Sequence, residues 1–192
     1  MKVTAVAIGD SITYGYPYRP QYSWTALAAR ELGITILNKG VCGETTGDMR
    51  ARFAQDVLPH RPQLVIIMGG TNDAFLHIRP QEVADNLAGM VQAAREAGIV
   101  PVLGLPIPSN YPEDEVMLDR YRQWLRDYAA REKVALIDFY FPMLAPGGTA
   151  LREGLHVDGV HPSEAGYRVM ARAAVDALRP VVGNNRQVDY TR

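Results

Sequence analysis

The sequence predicts an α/β fold, a three-layer α/β/α sandwich in which helices cover both faces of a five-stranded parallel sheet. Two observations lead to this prediction. Five short apolar runs are continuous rather than alternating, and amphipathic stretches separate them. Strands of a parallel sheet are buried on both faces and carry apolar residues at successive positions. Repeated strand–helix units form such a sheet through right-handed crossovers.

The predicted strands are the apolar runs themselves. In chain order they cover residues 3–8, 34–37, 64–68, 99–105 and 134–137. The runs are too short for typical helices, so strands are the better assignment. With 192 residues, 47% of them hydrophobic, the chain is long enough to bury all five runs in one core.

The predicted helices cover residues 23–31, 45–58, 80–97, 117–128 and 163–178. Apolar residues recur in these stretches at helical spacing. Pro80 suits a first helical position, and Gly33 and Gly98 suit the position after the last one. These elements predict a single domain over residues 1–180. Residues 181–192 have little periodicity and predict an extended or mobile C-terminal tail.

Composition excludes several classes of protein. Lysine plus arginine total 20 and aspartate plus glutamate total 21, so no broad basic surface for nucleic acid or anionic membrane is expected. No apolar stretch approaches the roughly 20 residues of a membrane span. The run at residues 3–8 is too short for a signal-peptide core, so a cytoplasmic location is expected. Cys42 is the only cysteine, which rules out an internal disulfide, and it is expected to be a small buried side chain.

Glycine and proline are concentrated at one end of the predicted sheet. The chain has 17 glycines and 13 prolines, and 21 of these 30 follow the carboxyl ends of the predicted strands. The segments concerned are residues 9–22, 39–47, 69–80, 104–112 and 139–162. Ligands of open α/β sheets bind beyond these strand ends. The functional site is therefore expected there.

Residues suited to catalysis follow four of the five strands. Ser11 comes directly after the first strand, where a sharp turn exposes a hydroxyl; Thr13 stands where the G-x-S-x-G motif would have its last glycine. Gly43 and Asn72 follow the second and third strands, and either can donate an N–H into the site. Asp158 precedes His161 by three residues, a spacing at which a carboxylate reaches the ring Nδ1. Each signal is weak alone, because caps and turns use the same residues.

Together, four sequence blocks resemble those of the SGNH (GDSL-type) serine hydrolases, an esterase family that includes lysophospholipases. The blocks are GDSI at residues 9–12, Gly43 within NKGVCGETT at 38–46, GTND at 70–73 and DGVHP at 158–162. They occur in the order and spacing of the family, and the resemblance spans residues 3–178. Ile12 replaces the leucine of the family's name, a change that conserves volume.

The resemblance implies a flavodoxin-like fold and hydrolysis of carboxylic esters or thioesters with no metal or other cofactor. Ser11 is then the nucleophile, His161 the base and Asp158 the residue that orients the imidazole. Backbone N–H groups of Ser11 and Gly43 and the Asn72 amide are expected to bind the oxyanion. The expected partner is a small acyl ester, and the oligomeric state stays open.

The substrate is the least determined feature. Asp10, Tyr14, Thr71 and His156 are expected near the pocket, and a separate role of Asp10 in holding the nucleophile turn is also expected. Four tyrosines, Tyr14, Tyr16, Tyr18 and Tyr22, crowd one loop. They either contact a sugar or acyl chain or pack the domain edge. Short-chain acyl esters are the first expectation, and lysophospholipid, thioester and acetylated-sugar substrates remain alternatives.

Two other functions compete with this interpretation. A metal-dependent phosphoesterase could use hard ligands on the same sheet edge, namely Asp10, Asn72, Asp73, Asp158, His156 and His161. Only four histidines are present, however, and none lies close to Asn72 and Asp73 in the way a dinuclear site would need. A nucleotide binder of similar shape lacks support, because neither G-x-G-x-x-G nor a P-loop motif occurs.

Overall fold

Five parallel strands form the centre of the fold in the computed structural model, which describes residues 4–148 and 150–187. The strands are β1 (Thr4–Gly9), β2 (Thr35–Gly40), β3 (Leu64–Met68), β4 (Val100–Gly104) and β5 (Ala135–Ile137). Their order across the sheet is β2-β1-β3-β4-β5, and every neighbouring pair is parallel. The predicted five-stranded parallel sheet is confirmed.

Seven helices are present in the described residues. They are α1 (Ser11–Tyr14), α2 (Trp24–Leu32), α3 (Thr46–Asp56), α4 (Thr71–Phe75), α5 (Pro80–Glu96), α6 (Pro112–Glu132) and α7 (Glu164–Gln187). Short 3₁₀ helices lie at Pro20–Tyr22, Leu58–His60 and Phe141–Met143. Helices α1 and α4 were not predicted, because one turn is too short to show periodicity. None of the helices described is long and apolar enough to cross a bilayer.

The core lies in two layers, one on each face of the sheet. In β1, Ala5 and Ala7 pack in the layer that also contains residues of α2 and α7, whereas Val6 and Ile8 pack in the layer with residues of α3, α5 and α6. All four β1 side chains have 0% exposure. Successive side chains of a strand point to opposite faces, so a strand covered on both sides must be apolar throughout.

The prediction of an extended tail from residue 181 is wrong for residues 181–187, which continue helix α7. Val182 is 4% exposed and belongs to the core layer beside α2. Its burial favours helix beyond Pro180, although a proline inside a helix removes one backbone hydrogen bond. The predicted tail segment 188–192 lies outside the described residues.

The strand order places β1 beside the point where the chain reverses direction across the sheet. The chain runs from β1 outward to β2 and then returns past β1 to β3, which makes the β1/β3 boundary a topological switch point. Gly9 and Gly40 are paired at the carboxyl ends of β1 and β2. A Cβ on Gly40 would overlap the backbone of Tyr14, so this glycine lets α1 pack directly on the strand end.

Candidate active site

Ser11 occupies the first position of α1, immediately beyond the end of β1. The Oδ1 atom of Asp10 accepts a hydrogen bond from the backbone N–H of Ile12 at 2.9 Å and caps this helix. Gly15 ends the helix after one turn with a φ of +110°, a left-handed conformation that glycine adopts without strain. The serine side chain therefore projects from a short, doubly fixed turn, and Ser11 is 7% exposed.

His161 connects Ser11 to Asp158. The Nε2 atom of His161 lies 3.1 Å from Ser11 Oγ, and its Nδ1 atom lies 2.7 Å from Asp158 Oδ2. Ser11 follows β1, whereas the other two residues precede α7, 150 positions away in the case of His161. The three side chains thus form one continuous hydrogen-bonded series.

Asp158 also holds the turn that carries the histidine. Its Oδ1 atom accepts hydrogen bonds from the backbone N–H groups of Val160 at 3.0 Å and His161 at 2.7 Å. Partial burial raises the pKa of Asp158, but the hydrogen bonds from His161 and Val160 outweigh that effect, and the pKa lies below its ordinary value. Asp158 is therefore an anion whose second oxygen is directed at the imidazole.

Two buried carboxyl groups lie beneath this surface. Asp10 is fully buried, and its Oδ2 atom has no hydrogen-bond partner in the described structure. Burial is the main cause that raises the pKa of Asp10 from 3.8 to about 6. The hydrogen bond from Ile12 and the charge of His161 oppose this increase, whereas the nearby charge of Asp73 adds to it. Asp73 accepts hydrogen bonds from the Thr46 N–H and hydroxyl, which join α4 to the start of α3.

Asn72 and Gly43 follow β3 and β2 at the same edge of the sheet as Ser11. The side-chain Nδ2 of Asn72 donates to the carbonyl of Glu44 at 2.8 Å, which orients the amide and leaves its second N–H available. Gly43 has a φ of +84° and is exposed, and a Cβ there would meet no atom within 4 Å. The backbone conformation, rather than space, is what favours glycine at this position.

A cavity of about 600 Å³ opens beside the serine and the histidine. Its lining combines the polar groups described above with apolar and acidic side chains: Ser11, Thr71, Asn72, Phe75, Tyr111, Pro112, Glu113, Asp114, Asp158, Val160 and His161. None of the lining residues is lysine or arginine. The cavity has the size of a small-molecule site.

Thr71 lines the cavity, but the other three residues expected near the pocket do not. Asp10 is buried under the nucleophile turn. Tyr14 lies at the far end of α1, where its carbonyl accepts a hydrogen bond from Asn38 of β2. His156 uses Nδ1 to accept a hydrogen bond from the Gly159 N–H at 2.9 Å, so it supports the loop instead. These three side chains therefore do not line the cavity.

The expectation that Cys42 is buried is also wrong, since its side chain is exposed. Partial desolvation raises the pKa of the Cys42 thiol, and the neighbouring Asp10 carboxyl raises it further. A thiol with a raised pKa is mostly protonated near neutral pH and is a poor nucleophile.

Two of the carboxylates named for the metal-binding alternative are hydrogen-bonded or enclosed. Both Asp73 oxygens accept hydrogen bonds from Thr46, and Asp10 is enclosed. No cluster of three or more histidine, cysteine, aspartate or glutamate side chains suited to a metal occurs in the described part of the chain.

Residues 105–111 fasten the loop that carries Asp158. The backbone N–H of Asn110 donates to the carbonyl of Gly159 at 2.8 Å, and its Oδ1 accepts from the N–H of Leu151 at 2.8 Å. The Tyr111 hydroxyl donates to the carbonyl of Asp158 at 3.1 Å. The sequence predicts this segment as part of the glycine- and proline-rich edge and, over residues 106–112, as a wall of the pocket; Tyr111 and Pro112 do line the cavity. The contacts with the loop of Asp158 were not predicted. A polar Asn-Tyr pair among prolines was the one available signal.

Comparison with known proteins identifies the family of this chain. The model of the GDSL-like lipase/acylhydrolase family matches residues 7–169. The esterase TesA of Pseudomonas aeruginosa is 28% identical over 93% of this chain and 89% of its own length. An acetylxylan esterase of Geobacillus stearothermophilus is 30% identical over 74% of this chain and 71% of its own length.

A solved structure is also similar over almost the whole chain. It is that of a G-D-S-L family lipolytic protein from Desulfitobacterium hafniense, which is 31% identical with a TM-score of 0.87. The match covers 92% of this chain and 100% of that one. Sequence, fold and the four motif blocks therefore agree, and this chain belongs to the GDSL-like lipase/acylhydrolase family of carboxylic ester hydrolases.

Proposed function

We propose that this protein hydrolyses small, uncharged carboxylic esters through an acyl-enzyme formed on Ser11. The observation that carries the proposal is the hydrogen-bonded series Ser11–His161–Asp158 at the edge of an open cavity. A hydroxyl bonded to an imidazole, itself bonded to a carboxylate, is the arrangement that activates serine as a nucleophile. Family membership supports the reaction class.

In the first half of the reaction Ser11 Oγ attacks the carbonyl carbon of the ester. His161 Nε2 takes the serine proton as the new C–O bond forms, and Asp158 stabilises the resulting imidazolium. The tetrahedral intermediate collapses when the bond to the leaving alcohol breaks, and the imidazolium gives its proton to that alcohol. In the second half, His161 takes a proton from water as the water oxygen attacks the acyl carbon. The bond between the acyl carbon and Ser11 Oγ then breaks, the imidazolium returns its proton to Ser11 Oγ, and the carboxylic acid leaves.

The negative charge on the tetrahedral intermediate needs hydrogen-bond donors. The candidates are the backbone N–H of Ser11 at the start of α1, the backbone N–H of Gly43 and the free amide N–H of Asn72. Because the Glu44 carbonyl already orients the Asn72 amide, little reorganisation is needed when the oxyanion forms. We assign these three donors to the oxyanion hole.

Short acyl chains fit the lining of the cavity best. The apolar contribution comes from Phe75, Tyr111, Pro112 and Val160, whereas Glu113 and Asp114 interrupt it with charge. A long acyl chain would have to pass carboxylates that it cannot hydrogen-bond, which is unfavourable. An acetylated carbohydrate fits the same lining, and the acetylxylan esterase among the relatives supports that alternative.

Substitution of Ser11 tests the mechanism directly. We expect purified Ser11→Ala to lose nearly all hydrolysis of 4-nitrophenyl acetate, by a factor of about 10⁵ or more. Cys42→Ser is the matched control, since it removes the single thiol of the chain, which is exposed and adjoins Gly43 in the sequence, and it is expected to keep full activity. A serine-directed sulfonyl fluoride should inactivate the wild type, and a chelator should not. Undiminished hydrolysis by Ser11→Ala would refute the proposal.

A substrate panel tests the acyl preference. It consists of 4-nitrophenyl esters with acyl chains from C2 to C12, an acyl-CoA and an acetylated xylo-oligosaccharide. We expect kcat/KM to be highest for the shortest esters and to fall as the chain lengthens. A clear preference for the C12 ester would contradict the short-chain assignment and leave the serine mechanism intact.

A further inference from the structure

We propose that Tyr16 is a positioning residue for His161, holding the imidazole in the plane that lets its Nε2 atom accept the Ser11 proton. The inference rests on the proposed function, in which His161 is the base. It assigns a role to one of four tyrosines that are indistinguishable in the sequence.

The Tyr16 ring contacts the imidazole of His161. The two ring centroids are 4.6 Å apart and the ring planes are inclined by 61°, an edge-to-face arrangement. Ser11 and Asp158 hold the imidazole at Nε2 and Nδ1. Each hydrogen bond tolerates a range of distances and angles, so the ring can still make small rotations about its Cα–Cβ and Cβ–Cγ bonds. The contact with the Tyr16 ring restricts these rotations.

The backbone of Tyr16 is anchored on both sides. Its N–H donates to the carbonyl of Ser11 at 3.0 Å, and its carbonyl accepts a hydrogen bond from the Tyr167 hydroxyl at 2.7 Å. Tyr167 belongs to α7 and is 0% exposed, so it is a rigid support. The same residue is therefore tied to the nucleophile turn and to the helix that follows His161.

Asp158 and His161 need the support of a neighbouring side chain, because the core does not enclose them. The side chain of Asp158 is 46% exposed and that of His161 is 23% exposed. Both residues lie in a loop, where side chains have more freedom than on a strand or a long helix. An aromatic neighbour also covers part of the imidazole against water, which competes for Nε2 and Nδ1.

The other tyrosines of the loop have different surroundings. Tyr18 packs edge-to-face against Tyr167 at 6.3 Å, and Tyr22 lies 6.4 Å from Tyr18. Tyr22 is 49% exposed, close to the 44% of Tyr16. Tyr22 is thus a matched control: the same residue type, in the same loop, with similar exposure and no part in the site.

The test compares Tyr16→Ala, Tyr16→Phe and Tyr22→Ala with the wild type on 4-nitrophenyl acetate. Losing the ring contact should lower kcat of Tyr16→Ala by about threefold to tenfold. The KM should stay within about twofold, because Tyr16 does not line the cavity. Tyr16→Phe should keep the wild-type kcat, since it keeps the ring, and Tyr22→Ala should be unchanged.

A second readout separates positioning from a general loss of structure. The rate at which phenylmethanesulfonyl fluoride modifies Ser11 depends on activation of the hydroxyl and not on ester binding, so it should fall in parallel with kcat. Thermal unfolding of each variant shows whether it is folded, and Tyr16→Leu replaces Tyr16→Ala if the alanine variant is not.

Three results would overturn the role of Tyr16. They are a wild-type kcat in Tyr16→Ala, an equal loss in Tyr16→Phe, or a loss carried by KM alone. The proposed function is tested separately, by Ser11→Ala. An inactive Ser11→Ala together with a fully active Tyr16→Ala would refute the role of Tyr16 alone.

Discussion

Asp10→Asn tests the electrostatics beneath the nucleophile. The carboxyl is fully buried, with one oxygen capping α1 through the Ile12 N–H and the other without a partner in the described structure. Asparagine has the same shape, and its oxygen can keep the bond to Ile12. The substitution therefore removes the titration of this group while leaving the helix cap in place.

The magnitude follows from the two states of Asp10. Burial raises the pKa from 3.8 to about 6 in the folded protein, and the unfolded chain keeps the lower value. Between these pH values the folded state binds more protons than the unfolded state, so the free energy of unfolding falls as pH rises. At about 1.4 kcal/mol per pH unit, the total loss is about 3 kcal/mol, complete above the folded pKa.

Urea unfolding of wild type and Asp10→Asn across about pH 4 to 8 measures this loss. Taken as the variant minus the wild type, the difference in unfolding free energy should rise by about 3 kcal/mol from the acid to the neutral end. Groups that do not interact with Asp10 titrate equally in both proteins and cancel from the difference. A difference that stays constant within about 0.5 kcal/mol would refute the argument, because a buried and unpaired carboxylate could not then be present at neutral pH.

Asp48→Asn is a control with the opposite sign. Hydrogen bonds from the Thr45 N–H and hydroxyl lower the pKa of Asp48, which forms a capping box at the start of α3. A lowered pKa stabilises the folded state above the ordinary value of the group, and this stabilisation is lost as pH falls. The difference between Asp48→Asn and wild type should therefore decrease as pH rises.

Two further predictions concern the cavity. Asn72→Ala should lower kcat for 4-nitrophenyl acetate by about 100- to 1,000-fold with little change in KM, because the second amide N–H bonds the oxyanion more strongly than the ground-state ester. An unchanged kcat would remove Asn72 from the oxyanion hole. The double variant Glu113→Gln/Asp114→Asn removes two carboxylates that repel the phosphates of coenzyme A. At low salt it should raise the ratio of kcat/KM for acetyl-CoA to kcat/KM for 4-nitrophenyl acetate by about fivefold or more. High salt should shrink that gain, and an equal ratio in both proteins would contradict the repulsion.

The sequence was sufficient wherever the structure depends on neighbours along the chain. Continuous apolar runs predicted all five strands. The reason is clearest for β1 and β3, which are covered on both faces, whereas β2 at the edge of the sheet is half-buried and carries Asn38 and Lys39. The pairing of Asp158 with His161 was also predictable, since three residues in one turn bring the carboxylate to both the backbone N–H and the ring. Together with Ser11, Gly43 and Asn72, these residues lie on one edge of a sheet whose strand directions were correctly predicted.

The rest depends on contacts between distant segments. Tyr16 and His161 are far apart in the chain, and nothing in the loop sequence distinguishes Tyr16 from Tyr14 or Tyr22. Asn110 holds Leu151 across 41 positions by a hydrogen bond that no local pattern encodes. The lining of the cavity is likewise a property of packing. Helix α7 continues past Pro180 because Val182 has a place in the core, and that place exists only once the sheet has formed.

The two halves of the site are stabilised by different means. This difference determines whether a substitution should lower stability together with activity or activity alone. Ser11 lies on a turn enclosed by the core, where the capping carboxyl of Asp10 is itself buried, so changes there alter stability together with activity. Asp158 and His161 lie in a partly exposed loop held by hydrogen bonds from Asn110 and Tyr111 and by the Tyr16 ring. Those contacts contribute little to the core, so weakening them should lower kcat while the folded state persists.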